Sequence, residues 1–165
     1  MIVARRLFLG LCIGALLVVP ACAQSPSQPT SASPQVLFVC EHGAAKSVIA
    51  VAHFNKLAQE RGLPHRAITR GTNPDTNFAP KVVAGLQAEG LSAGPGKPQL
   101  VSDKDVLSAA KVVTLGCTIP QKASVTDWAD LPSPSENYAA ASSEIRQRVE
   151  TLVNELAAKQ KPEQR

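Results

Sequence analysis

From Gln35 to Val39 the chain reads Gln-Val-Leu-Phe-Val, apolar at consecutive positions rather than at every second one. A short run without polar alternation suits a strand covered on both faces, as in a parallel sheet packed between helices. It leads straight into Cys40-Glu41-His42-Gly43-Ala44-Ala45-Lys46-Ser47, a turn of mostly small residues before a helical pattern. Such a turn leaves backbone N–H groups free to point inward at the start of a helix. The helix N-terminus adds the equivalent of about +0.5 charge, so the turn suits an oxyanion and favours a cysteine thiolate. Cys40 is therefore the candidate nucleophile, and the loop through Glu41, His42, Gly43, Ala44, Ala45 and Lys46 is the candidate oxyanion cradle. A cation is unfavourable at a helix N-terminus unless an anion is near, so Lys46 reads as an anion contact.

Beyond the loop, Val48, Val51, Ala52, Phe54, Leu57 and Ala58 recur at helical spacing and predict a helix over 47–61, ended by Gly62. A second strand is expected over 65–69 and a second helix over 80–89, closed by Gly90. The capping-box pattern Ser102-x-x-Asp105 opens a short third helix, followed by a strand over 111–115 and a fourth placed at 124–128. A long last helix over 135–159 carries Ile145, Val149, Leu152, Val153 and Leu156 on one face. Strands alternate with helices, so the fold class is α/β: a small parallel four-stranded sheet flanked by helices in three layers. Open sheets of this kind bind ligands outside the carboxyl ends of their strands, where Cys40 lies.

Arg5 and Arg6 precede an apolar run from Leu7 to Val19, and Ala21-Cys22-Ala23 offers a small-x-small cleavage site, so residues 1–23 read as an export signal. Arg5-Arg6-Leu7-Phe8-Leu9 also resembles a twin-arginine signal. A competing reading takes Val19-Pro20-Ala21-Cys22 as a lipobox with Cys22 lipid-modified, and only then would the chain be tied to a membrane. The expected location is the periplasm. Residues 24–34 form a Ser/Pro-rich linker, 35–160 one domain and 161–165 a polar tail. Loss of Arg5 and Arg6 lowers the formal net charge of +4 by two, which leaves no basic surface for nucleic acid. Cys12 and Cys22 fall within the signal, and the remaining pair, Cys40 and Cys117, makes no disulfide framework. His42, His53 and His65 fit no zinc spacing, so neither metal nor cofactor is expected. His53 and His65 read as structural or exposed and Tyr138 as a surface residue, while His42 either adds positive potential beside Cys40 or faces solvent.

The spacing Cys40-x5-Lys46-Ser47 after an apolar strand resembles the signature loop, Cys-x5-Arg followed by Ser or Thr, of the low-molecular-weight protein tyrosine phosphatases and their relatives, the thioredoxin-coupled arsenate reductases. Thr69-Arg70-Gly71-Thr72 is similar to their Ser-x-Gly turn, Val112-Val113-Thr114-Leu115-Gly116-Cys117 to the reductases' third strand, and Trp128 through Pro134 to the acid loop. The resemblance implies the low-molecular-weight phosphatase fold. It also implies attack by Cys40 on a phosphorylated substrate or an inorganic oxyanion such as phosphate or arsenate, with the Ser47 hydroxyl stabilising the thiolate.

Several positions depart from that pattern. Gly43 replaces an asparagine found in many of these loops, and Lys46 gives a point charge where arginine gives a planar fork that grips two oxygens. Ser133 stands where the phosphatases carry the Asp of an Asp-Pro pair, and loss of a general acid costs about 10²–10⁴-fold; Asp130 is the nearest substitute. Cys117 matches the first of the reductases' two resolving cysteines, and the second is missing. The reading is an exported phosphatase-like protein that hydrolyses a phosphate monoester through a thiophosphoryl Cys40 intermediate, with Cys40, Lys46, Ser47 and Asp130 as catalytic residues. Two alternatives stand beside it: an arsenate reductase-like thiol oxidoreductase using Cys40 and Cys117, and a domain that binds oxyanions without turnover.

Overall fold

Val36, Leu37, Phe38 and Val39 are all fully buried, so the strand that carries them has a layer on each face and a neighbour on each edge. The computed structural model describes residues 33–160; the expected export signal over 1–23, most of the linker over 24–34 and the tail over 161–165 lie outside the described residues. The elements run β1 (Gln35–Cys40), α1 (Lys46–Glu60), β2 (Arg66–Gly71), α2 (Pro80–Ala88), α3 (Asp103–Ser108), β3 (Ala109–Thr114), β4 (Val125–Asp127) and α4 (Tyr138–Gln160). The four strands lie in the order β2-β1-β3-β4, every pair parallel, as the continuous apolar run requires. The chain leaves β1 toward one edge and β3 toward the other. Their carboxyl ends thus flank a topological switch point, with Cys40 at its lip.

Alternation along β1 divides the core. Val36, Phe38 and Cys40 face the layer of α1 and α4, where Phe38 meets Phe54 edge-on at 6.0 Å and Trp128 at 5.7 Å between ring centroids. Leu37 and Val39 face the smaller cluster with Val106 of α3 and Val112. The apolar face expected on the last helix is the buried one: Ile145, Val149, Leu152, Val153 and Leu156 all pack inward. The capping box at α3 forms in both directions, and its Asp105 also takes two hydrogen bonds from Arg70 at 3.0 Å each, tying α3 to the end of β2.

Two expectations change. The last helix starts at Tyr138, not at 135, because the Asn137 side chain accepts from Ala140 N at 3.0 Å and caps it there. Tyr138 is not a surface residue: its ring packs against the core in a slot left by Gly85 of α2, where a Cβ would stand 2.3 Å from the ring. In a helix interior Gly→Ala is ordinarily favourable by about 0.8–1 kcal/mol, but Gly85→Ala should have the opposite sign. Overpacking against Tyr138 should destabilise the fold by about 1–3 kcal/mol, read as a lower urea midpoint; a raised midpoint would contradict this packing.

Candidate active site

The cradle after β1 is shaped by bonds to its carbonyls. Thr72 N donates to Cys40 O (3.3 Å), Asn73 N to Glu41 O (2.8 Å), Asp75 N to His42 O (3.1 Å) and Ala79 N to Ala44 O (3.0 Å), while Val48 N and Ile49 N take up Ala45 O. Because each peptide is planar, pulling these carbonyls outward turns the N–H groups inward. Among the described residues no N–H from Glu41 to Lys46 donates to a protein acceptor. Gly43 (φ +60°) lets the loop fold this tightly, and its backbone touches that of Gly71: a Cβ on either glycine would come within 2.8 Å of the other's nitrogen.

Cys40 sits almost wholly buried at the floor of a cavity of about 480 Å³. Its Sγ lies 3.0 Å from the hydroxyl of the fully buried Ser47. The one hydroxyl proton of Thr69 goes to Ser47 Oγ at 2.7 Å in preference to Gly43 O at 3.3 Å, which frees the Ser47 proton for the sulfur. At the start of α1 no side chain caps the helix and no acidic residue occupies the first turn, so its positive end is left to whatever fills the cradle. Lys46 lines the same cavity, and among the described residues no carboxylate lies within salt-bridge distance of it. Glu41, His42 and Ala45 line the cavity too; Gly43 and Ala44 are not in its lining, and Ala44 O is held by Ala79 N.

The opposite wall is the segment before α4. Ser133 and Pro134 line the cavity, with Ser133 Oγ 2.7 Å from Ser135 Oγ. Lys81 of α2 reaches across and donates to Ser135 O (2.7 Å) and Glu136 O (3.4 Å), pinning this wall. The sequence reading missed Lys81, although a lysine directly after Pro80 at a helix start carries the same signal that singled out Lys46. Thr69 was noted only as part of a turn, and its bond to Ser47 needs β2 and β1 to be paired.

Asp130 is not brought to the cavity, a correction to its expected role. Arg148 of α4 grips both its carboxylate oxygens, at 2.7 and 2.8 Å, and these hydrogen bonds hold its pKa down to about 2. A carboxyl so placed keeps no proton to give near neutral pH. Cys117 packs with Leu37 and Val39 in a different cluster from Cys40, its thiol 3.4 Å from Val39 O and near enough to feel the Cys40 charge, and both cysteines are free. Burial pushes the Cys117 thiol up to about 11. His53 is buried, 3.0 Å from Ser142 Oγ and near Glu89, with its pKa lowered by burial; His65 is buried as well. Among the described residues no group of three or more His, Cys, Asp or Glu is placed to hold a metal.

Family comparison agrees with the fold: the model of the low molecular weight phosphotyrosine protein phosphatases matches residues 35–126. The chain belongs to this family. Among curated relatives, a Halobacterium salinarum protein provisionally named an arsenate reductase is 29% identical over 125 residues, covering 72% of this chain and 87% of that protein. The thioredoxin-dependent arsenate reductase of Corynebacterium glutamicum superposes with a TM-score of 0.68 at 24% identity, over 79% of this chain and 65% of that one. This chain thus spans slightly less than two thirds of the Corynebacterium enzyme. The low-molecular-weight protein tyrosine phosphatase of T. tengcongensis superposes with a TM-score of 0.64 at 20% identity, over 74% of this chain and 99% of that one. Both structural likenesses carry the fold. The proteins matched by these comparisons are named as phosphatases and arsenate reductases.

Raising a thiol from its usual value of 9.0 to about 11 lowers its thiolate fraction at neutral pH by about 10²-fold, and the thiolate is the reactive form. Alkylation of Cys117 in the folded protein at neutral pH should be slower than in the denatured chain by about that factor, followed site by site by mass spectrometry. Equal rates in the two states would refute its buried placement.

Proposed function

We propose that this chain is a cysteine-dependent phosphate monoester hydrolase acting outside the cytoplasm. The observation that carries the reading is that, among the described residues, no N–H from Glu41 to Lys46 donates to a protein acceptor, in a loop that lines one cavity with Cys40. A phosphate dianion fits there on chemistry alone: amides and Lys46 meet its oxygens, and Ser47 and Thr69 hold the sulfur beneath. Cys40 Sγ attacks phosphorus, the S–P bond forms as the bond to the leaving oxygen breaks, and that oxygen takes up a proton. Water then attacks phosphorus, the S–P bond breaks, and phosphate and thiolate are released. Lys46 supplies charge without the bidentate grip of an arginine, so turnover is slow. The location rests on the basic, apolar and small-residue pattern of residues 1–23.

A second reading, arsenate reduction, is favoured by the 29% identical relative. There either Cys117 or a thiol from another molecule would resolve an arsenical on Cys40.

Hydrolysis of an activated aryl phosphate by reduced residues 24–165 tests the proposal. Cys40→Ser should abolish turnover while leaving inorganic phosphate binding intact. Phosphate binding without turnover in either protein would sink the hydrolytic reading and leave a binding domain, and arsenate-dependent oxidation of an added thiol would select the reductase. Lys46→Arg should raise kcat about tenfold, the equivalent of ~1.4 kcal/mol in the barrier; an unchanged or lower kcat would show that the lysine is not limiting.

A further inference from the structure

Resting on the hydrolytic reading, we propose that His42 is the general acid of this site, giving a proton from Nε2 to the leaving-group oxygen. The far wall offers Ser133, and Asp130 is held by Arg148, so the proton must come from elsewhere in the cavity. The charged or titratable side chains that line it besides Cys40 are Glu41, His42, Lys46 and Lys81. The ammonium of Lys81 is engaged with Ser135 O and Glu136 O. Lys46 is the countercharge of the bound anion and stands beside Gly116. Imidazole is the side chain suited to exchange protons near neutral pH.

The ring is held for this task. Its Nδ1 lies 3.3 Å from Asn73 O and 3.4 Å from Asp75 Oδ1, both acceptors, so Nδ1 carries a proton that faces the 72–75 turn. Asp75 N also donates to His42 O at 3.1 Å, which fixes the residue at backbone and side chain together. Nε2 is left as the exchanging atom, with Glu41 Oε2 3.8 Å away. The same order of carboxylate, Nδ1–H and working Nε2 orients histidine in many hydrolases. Half the His42 side chain is exposed, which places it at the mouth of the cavity. An in-line displacement by a nucleophile on the floor sends the leaving group toward that mouth.

The steps balance. As the S–P bond forms and the P–O bond to the leaving group breaks, the leaving oxygen takes the Nε2 proton and departs as an alcohol or phenol, leaving neutral imidazole. In the second step neutral Nε2 removes a proton from water as its oxygen attacks phosphorus. The S–P bond then breaks, and thiolate, phosphate and imidazolium are restored.

The test is a series of phosphate monoesters from activated aryl to alkyl, hydrolysed by the wild type, His42→Gln and Asp75→Asn. Loss of a general acid costs about 10²–10⁴-fold, so His42→Gln should lose at least about 10²-fold on the poorest leaving group, with the loss shrinking as the leaving group improves. Competitive inhibition by inorganic phosphate should persist. Asp75→Asn, a positioning residue, should show the same dependence on the leaving group with a smaller loss. An equal loss across the series would overturn the role of His42 while Cys40-dependent turnover remained. Absence of Cys40-dependent turnover would instead overturn the hydrolytic reading and this role with it.

Discussion

The bonds from Thr72, Asn73, Asp75 and Ala79 to the carbonyls of the loop after β1 are the interaction on which the rest of the site depends. They turn a flexible run of small residues into a fixed row of donors. A buried donor without a partner costs roughly 1–3 kcal/mol, so the row is tolerable only because it opens to the cavity, where water or an anion can meet it. The helix that follows adds its uncapped end to the same place. Sheet order supplies the anchor: β2 lies directly beside β1, so the turn after β2 is always within reach of the loop after β1.

The wall facing the cradle is held as firmly, but for a different purpose. Trp128 stacks near Phe38, Asp127 accepts from the Thr114 hydroxyl at 2.7 Å, and Lys81 ties down the carbonyls of Ser135 and Glu136. Asp130 turns outward to Arg148, so its carboxylate steadies the approach to α4 and takes no part at the cavity. In the proposed mechanism the nucleophile and the acid lie on one wall, around the turn that carries Cys40 and His42. The second thiol packs against the smaller cluster as a small apolar group.

Much of the fold was legible because local patterns agreed with one another. The unalternating run of β1, the helical spacing from Val48 to Ala58 and the capping box at Ser102 each lead to a single element, and the elements together to a parallel sheet. Cys40 and its loop could be read for the same reason, since strand, turn and helix lie side by side in the chain. Contacts made across the fold were not legible. Nothing local distinguishes Asp130 beside its partner Arg148 from Asp130 beside a cavity, and nothing near Tyr138 announces that Gly85 on another helix leaves room for its ring. Asn137 was readable in principle, as an Asn just before a helical pattern, but the prolines and serines preceding it blurred the boundary.

Gly43 and Gly71 have a consequence for how this chain can change over time. Each leaves the space the other's backbone occupies, so a side chain at either position would part the two segments. The pair therefore behaves as one inherited unit although the residues belong to different turns. A chain that lost one glycine would have to redraw the path of the loop around its anion, and no compensating residue at the other site could restore it, since neither can become smaller.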